Sequence, residues 1–262
     1  MQTLLIYLIA GATAGMLAGL LGVGGGIVIV PVLVFVFTVQ GITPELVVHL
    51  AIGTSLATIV VTSLSSIRAH HRRGAVLWPV FSRLAPGIVM GALIGAVVAD
   101  ALSSDTLRRI FGAFALLVAL QMGLAKKPAA HRELPGAPSL ALVGGFIGML
   151  SALVGIGGGA LSVPFMSFCN VPMRNAVATS AAAGLPIALA GAAGFIATGW
   201  GETGLPAWAT GYVYWPAFLG IVAISALVAP LGASLAHTLP THALQRFFAV
   251  FLAVVGARML IG

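Results

Sequence analysis

Gly22-Val23-Gly24-Gly25-Gly26-Ile27-Val28-Ile29-Val30-Pro31 decides how this chain must be read. Three consecutive glycines with a proline five residues on cannot continue one unbroken helix. Glycine leaves the backbone loose and proline removes a donor. Apolar stretches run roughly 4–21 and 27–39 on either side, so a turn joins two helices here. The motif returns as Gly155-Ile156-Gly157-Gly158-Gly159, followed by Val163-Pro164. Setting Gly15–Leu33 above Gly148–Met166 gives 10 identities in 19 positions. Further along, Thr54-Ser55 matches Thr179-Ser180, and Leu107-Arg108-Arg109-Ile110-Phe111 matches Leu244-Gln245-Arg246-Phe247-Phe248. The chain is a duplication. A linker over 126–138, with Lys126, Lys127, Arg132, Glu133 and three prolines, separates a first repeat (1–125) from a second (139–262).

The composition says what solvent surrounds the repeats. Hydrophobic residues make up 60% of the 262 and charged residues 6%, against about 25% charged in an ordinary soluble protein. Twelve Lys and Arg with five Asp and Glu cannot cover a globule of this size, so the solvent is lipid. The net charge of +7 gathers in a few loops, which fits membrane orientation and not nucleic-acid binding. One cysteine, Cys169, excludes an intramolecular disulfide or a cysteine-rich metal centre. Leu4–Ile9 followed by Ala10-Gly11-Ala12 is reminiscent of a signal peptide, but Met1-Gln2-Thr3 has no basic residue and the pattern recurs mid-chain. The segment is read as part of the mature protein.

Each repeat holds five apolar stretches: 4–21, 27–39, 46–67, 78–99 and 106–125, then 140–154, 160–171, 175–197, 212–236 and 243–261. The fold class expected is therefore all-α integral membrane, two homologous halves of five hydrophobic segments. The second stretch of each half is short of the roughly 20 residues a crossing needs. Broken or re-entrant helices are expected at both glycine motifs, because freed backbone groups in lipid must be enclosed by protein or line a cavity. The Arg68, His70, His71, Arg72, Arg73 cluster and Lys126, Lys127, Arg132 should be cytoplasmic, while the loop equivalent to the first carries Glu202 and no Lys or Arg. Glu45 in one half likewise corresponds to Arg174 in the other. Such sign changes, with an odd number of crossings per half, imply inverted repeats. Arg108 and Arg109 fall on the outer side against this scheme, close to Asp100 and Asp105.

Inverted repeats with broken helices place a binding site near the bilayer midplane, where helix N-termini direct positive dipole ends at an anion. The substrate-binding residues expected are Gly22, Gly24, Gly25, Gly26 and Gly155, Gly157, Gly158, Gly159, presenting backbone N–H groups. Thr54, Ser55, Thr179, Ser180 and Ser162 add hydroxyl donors. Close packing is the alternative for glycines, and better suits Gly11, Gly15, Gly19, Gly144 and Gly148 at four-residue spacing. Arg83 either complements the anion or extends to the interface, and Arg258 anchors at the interface. His49 is the one titratable group placed for proton coupling. Trp78, Trp200, Trp208, Tyr212, Tyr214 and Trp215 lie near stretch ends as interface anchors.

The paired Gly-x-Gly-Gly-Gly…Val-Pro motifs, Gly53-Thr54-Ser55-Leu56 and the Arg68…His70…Arg73-Gly74-Ala75-Val76 loop resemble the sulfite exporter TauE/SafE family, also called the toluene sulfonate uptake permeases. The resemblance spans nearly the whole chain. It implies an integral membrane transporter of sulfur-containing anions such as sulfite, a sulfonate or thiosulfate, in a bacterial-type cytoplasmic (inner) membrane. Ala178 stands where the first half has Gly53, so the two half-sites differ. The alternatives are an anion channel, a carrier of another small anion or metabolite, and, further off, a metal-ion permease, which would need carboxylates, thiolates or clustered histidines within the bilayer. No enzyme, cofactor, metal site or nucleic-acid partner is expected: His-Glu-x-x-His, paired aspartates and Gly-x-Ser-x-Gly are absent from the sequence. The partners are a small anionic substrate and the lipid bilayer, with assembly into a homo-oligomer left open.

Overall fold

The computed structural model describes residues 2–21, 25–123, 133–236 and 241–261. The first repeat forms α1 (Gln2–Leu21), α2 (Gly26–Val39), α3 (Pro44–Arg72), α4 (Trp78–Asp100) and α5 (Ser104–Gly123). The second forms α6 (Ala137–Val154), α7 (Gly159–Phe168), α8 (Met173–Thr198), α9 (Trp215–Ala236) and α10 (Thr241–Ile261), with a two-stranded hairpin of β1 (Ala209–Thr210) and β2 (Val213–Tyr214) before α9. Nearly every apolar stretch becomes one helix. Residues 169–171 and 212–214 are exceptions: α7 ends at Phe168, where Asn170 takes positive φ, and 212–214 pair as strand and turn, because Trp208 and Gly211 take positive φ and stop a helix from starting there. Prolines at N1 or N2 open α3, α4 and α6, where a missing N–H costs nothing.

Small residues set which helices meet. A side chain at Gly91 of α4 would collide with the Gly145 carbonyl of α6, and one at Gly87 with the Ala141 carbonyl. On the other flank, a Cβ at Gly11 of α1 would lie 2.8 Å from the Ile221 oxygen of α9, and one at Gly15 would lie 2.6 Å from Ser225 Cα. Backbones this close gain dispersion without side-chain bulk, the usual glue between helices that lack a hydrophobic drive to associate. α5 packs on α10 through Gly112 and Gly256, and α3 packs on α8. Every one of these contacts joins one repeat to the other, so the halves are interleaved and do not stand side by side.

The register of the contacts fixes direction. Gly87, Gly91 and Gly95 meet Ala141, Gly145 and Met149 in rising order, so α4 and α6 run parallel. Gly11 and Gly15 meet Ile221 and Ser225 in rising order, so α1 and α9 do too. Gly112 meets Leu260 while Leu116 meets Gly256, so α5 and α10 are antiparallel. The start of α3 bonds to the end of α4 and the start of α5, through His49 to Ala99 and Ser104. The end of α3 bonds to the start of α8, where Arg174 donates to the Arg73 carbonyl at 3.0 Å. α5 and α10, and likewise α3 and α8, therefore run in opposite directions.

Charge divides between the two ends of the bundle. One end of the bundle carries Arg68, Arg72, Arg73, Arg83, Arg174 and Arg246, with Glu133 as its described carboxylate. The other carries Glu45, Asp100, Asp105 and Glu202 together with Arg108, Arg109 and Arg258, and Arg108 bridges Asp105 at 2.9 Å. We call these the arginine end and the carboxylate end. Between them the outer surface is apolar, with Val97, Leu120, Leu142 and Phe146 exposed. Among the described residues α3, α4, α5, α6 and α8 are each long and apolar enough to cross a membrane. Lys126, Lys127, Arg132 and most of the 126–138 linker lie outside the described residues.

Candidate functional site

α1 enters the bundle from the carboxylate end and α2 returns to it, where the Tyr7 hydroxyl bonds Gln40 Oε1 at 3.0 Å. α6 and α7 form the matching hairpin from the arginine end. The two hairpin tips are the two glycine motifs, and they touch. A Cβ at Gly26 would lie 2.6 Å from the Gly155 oxygen and 2.9 Å from Ile156 Cα. Gly25, the residue before α2, has φ of 71°, and Gly155, ending α6, has φ of 70°, a left-handed conformation that strongly favours glycine. The Ile156 amide bonds the Ser151 carbonyl and the Gly155 amide bonds that of Ala152, which satisfies the orphan carbonyls at the end of α6.

The expected residues separate into groups. Gly25, Gly26, Gly155, Gly157, Gly158 and Gly159 are at the meeting of the tips, whereas Gly22 and Gly24 lie outside the described residues. Ser55 joins them from α3, donating to the Gly155 oxygen at 2.8 Å. Ser162 and Ser180 flank Gly158: a Cβ there would lie 3.3 Å from both Ser162 Oγ and the Ser180 carbonyl. The hydroxyls of Ser151, Ser162 and Ser180 are buried with no hydrogen-bond partner among the described residues. A buried hydroxyl without a partner forfeits about 1–3 kcal/mol, so such groups need a reason to be there.

Thr54 and Thr179 do something the sequence did not indicate. Thr54 Oγ1 accepts the Tyr214 amide at 3.0 Å, and Thr179 Oγ1 accepts the Leu77 amide at 2.9 Å. Tyr214 and Leu77 each directly precede the fourth long helix of the opposite repeat. Each threonine thus pins the entry of a helix from the other half, and the two latches occupy matching positions of the two repeats. Asn175 adds a bond to the Ala75 carbonyl at 2.9 Å beside the second latch.

Arg83 is exposed on α4 toward the arginine end, apart from the tips. His49 is 5% exposed and sits toward the carboxylate end. Its Nε2 is 3.0 Å from the Ala99 oxygen, and its Nδ1 is 3.2 Å from both the Glu45 oxygen and Ser104 Oγ. The ring also stacks 5.0 Å from that of Tyr212. Tyr212, expected as an interface anchor, is buried instead and donates to Asp100 Oδ1 at 3.0 Å. Burial and then the Asp100 carboxylate push its phenol above the ordinary range, so it remains a donor. Trp200 and Trp208 are largely exposed near the ends of α8 and β1. Among the described residues no group of three or more His, Cys, Asp or Glu could hold a metal ion.

Comparison with known proteins gives a consistent set of likenesses. The family model described as sulfite exporter TauE/SafE matches residues 7–259. A Haemophilus influenzae protein named "Probable membrane transporter protein" is 38% identical over 98% of this chain and 97% of its own length. A Bacillus subtilis protein, "Probable membrane transporter protein YunE", is 29% identical over 99% and 98%. The Methanocaldococcus jannaschii protein MJ0441, with the same description, is 32% identical over 67% of this chain and 66% of its own length. No solved structure matches.

Proposed function

From its membership of the sulfite exporter TauE/SafE family, a family of membrane transporters, we propose that this multi-pass membrane protein is a permease, and not an enzyme, for a small sulfur-containing anion such as sulfite, a sulfonate or thiosulfate. The observation that carries this reading is the meeting of the two glycine tips in the interior, beside the buried hydroxyls of Ser55, Ser162 and Ser180. Helix N-termini and hydroxyls present positive dipole ends, which favour an anion and disfavour a cation. Thr54 and Thr179 border the same region and retain a hydroxyl proton beyond the bond they accept. Their matching positions in the two repeats support access that alternates between the ends.

The antiparallel run of equivalent helices supports inverted repeats in the bilayer. The arginine end faces the cytoplasm of a bacterial-type inner membrane by the positive-inside rule. His49, enclosed by carbonyls toward the opposite end, is the candidate for proton coupling.

The test is flux into proteoliposomes with a panel of sulfite, thiosulfate, sulfonates and, as comparison, chloride, with and without an imposed pH gradient. Saturable accumulation of a sulfur oxyanion is expected, with the pH-gradient dependence lost in His49→Gln while downhill flux persists. Absence of flux for the whole panel, or transport of chloride alone, would sink the substrate class. Dissipative flux that never accumulates would replace the carrier by a channel.

A further inference from the structure

The two glycine tips differ in backbone as well as in chemistry: Gly25, before α2, has φ of 71°, whereas its counterpart Gly158, before α7, has φ of −62°. At the first tip, the N-terminus of α2 is covered by protein: Gly26 lies against Gly155 and Ile156, and the Ile59 side chain closes in at 2.8 Å from where a Cβ would be. At the second tip, α7 begins at Gly159, like α2 without a side-chain cap. Its first amides have no carbonyl partner within the helix. Ser162, in the first turn of α7, is fully buried, and its Oγ lies 3.3 Å from where a Cβ on Gly158 would sit, without a hydrogen-bond partner among the described residues. The equivalent position in the first repeat is Ile29.

Ser63 approaches the same tip from α3. Its Oγ is 3.0 Å from where a Cβ on Gly184 would sit, and the Gly158 amide nitrogen is 3.8 Å from that point. The equivalent of Ser63 in the second repeat is Ala188. Ser55 is already used, donating to the Gly155 oxygen, whereas its equivalent Ser180 is unpartnered among the described residues. Donors therefore accumulate on one tip. The cations do not: each described arginine lies within the first or last two turns of its helix, at one end of the bundle or the other.

We infer that the anion seat is one-sided, built by the N-terminus of α7 with Ser162 and Ser63 between α3, α7 and α8, and that it takes singly charged oxyanions in preference to doubly charged ones. This rests on the anion-permease reading above. The charge preference follows from electrostatics. The cost of removing an ion from water grows with the square of its charge, while the attraction of neutral dipoles grows linearly. A seat of hydroxyls and amides with no buried cation holds one charge and cannot repay a second. The chemical class is a compact oxyanion with a single negative charge, a sulfonate or a protonated sulfur oxyacid.

The experiment is calorimetric binding to the purified full chain in detergent, with methanesulfonate as the monoanion and sulfate as the dianion, both at neutral pH. Methanesulfonate is expected to bind at least about tenfold more tightly than sulfate. Ser162→Ala is expected to weaken it by about tenfold, the loss of one hydrogen bond to a charged group, and Ser63→Ala less so. Ile29→Ser should leave the affinity near the parent's, and variants are compared only where their size-exclusion profile matches the parent. Sulfate binding as well as methanesulfonate overturns the charge preference. A change in affinity from Ile29→Ser as large as that from Ser162→Ala overturns the one-sided seat, while the anion-permease reading stands. Binding of no oxyanion to the parent, with flux also absent, overturns both.

Discussion

Thr54 and Thr179 illustrate how one oxygen serves a fold built from two copies. Each sits fully buried on the third helix of its repeat and receives an amide from the strand or loop that launches a helix of the other repeat. Replacing either by valine keeps the shape but leaves a buried N–H without an acceptor, which costs about 1–3 kcal/mol. Thr54→Val and Thr179→Val are expected to lower the thermal midpoint in detergent, and the corresponding serine variants to restore most of it. A midpoint unchanged in the valine variants would mean that water reaches those amides. The duplicated Thr-Ser pairs were legible in the sequence, because the repeat marks them. Their partners were not: Tyr214 is 160 residues from Thr54, and nothing local announces that an amide will need an acceptor there. Ser63 escaped for a similar reason, since it has no counterpart in the other repeat and stands in an ordinary apolar run.

At the level of elements, glycines carry two separate jobs that a substitution distinguishes. Gly91 has an unremarkable φ, but a side chain there meets the backbone of α6. Gly41 has φ of 73° and open space where its Cβ would be. Gly91→Leu must push two helices apart along a whole face, so we expect loss of the monodisperse peak in size-exclusion chromatography. Gly41→Ala only forces a left-handed backbone, about 1–2 kcal/mol, and the protein should purify normally with a slightly lower midpoint. Equal behaviour of the two would show that α4 and α6 are free to separate. Eight of the apolar stretches could be read as helices from their apolarity, with Pro44, Pro79 and Pro138 marking three of the starts, and a ninth, 160–171, runs past the end of α7 at Phe168. The tenth misled at 212–214, where Val213 and Tyr214 continue the apolar run of α9 but pair with Thr210 and Ala209. Gly204, Pro206 and Gly211 were the available signals for a turn there.

Across the whole molecule, the arginine end and the carboxylate end make a prediction about sidedness. In a Cys169→Ser background, a cysteine at Glu202 should react with an impermeant thiol reagent added outside intact cells, and one at Arg72 only after the membrane is opened. Reaction of both from one side would turn the inverted arrangement into a parallel one. The repeat and the charge contrast are the signals in the sequence for this arrangement. The pairing of α1 with α9 and of α6 with α4 was not legible, because glycine spacing shows that a helix is packed closely and never against which neighbour. That interleaving bears on how the protein is made. When the ribosome has delivered the first five helices, α1 and α4 still lack the surfaces their glycines are shaped to meet, since those belong to helices not yet synthesised. The nascent half must therefore wait in the lipid as loosely associated segments, with exposed backbone grooves, until α6 and α9 arrive to fill them. A gene cut at the linker should then yield two fragments that are degraded when expressed singly and become stable only when produced together.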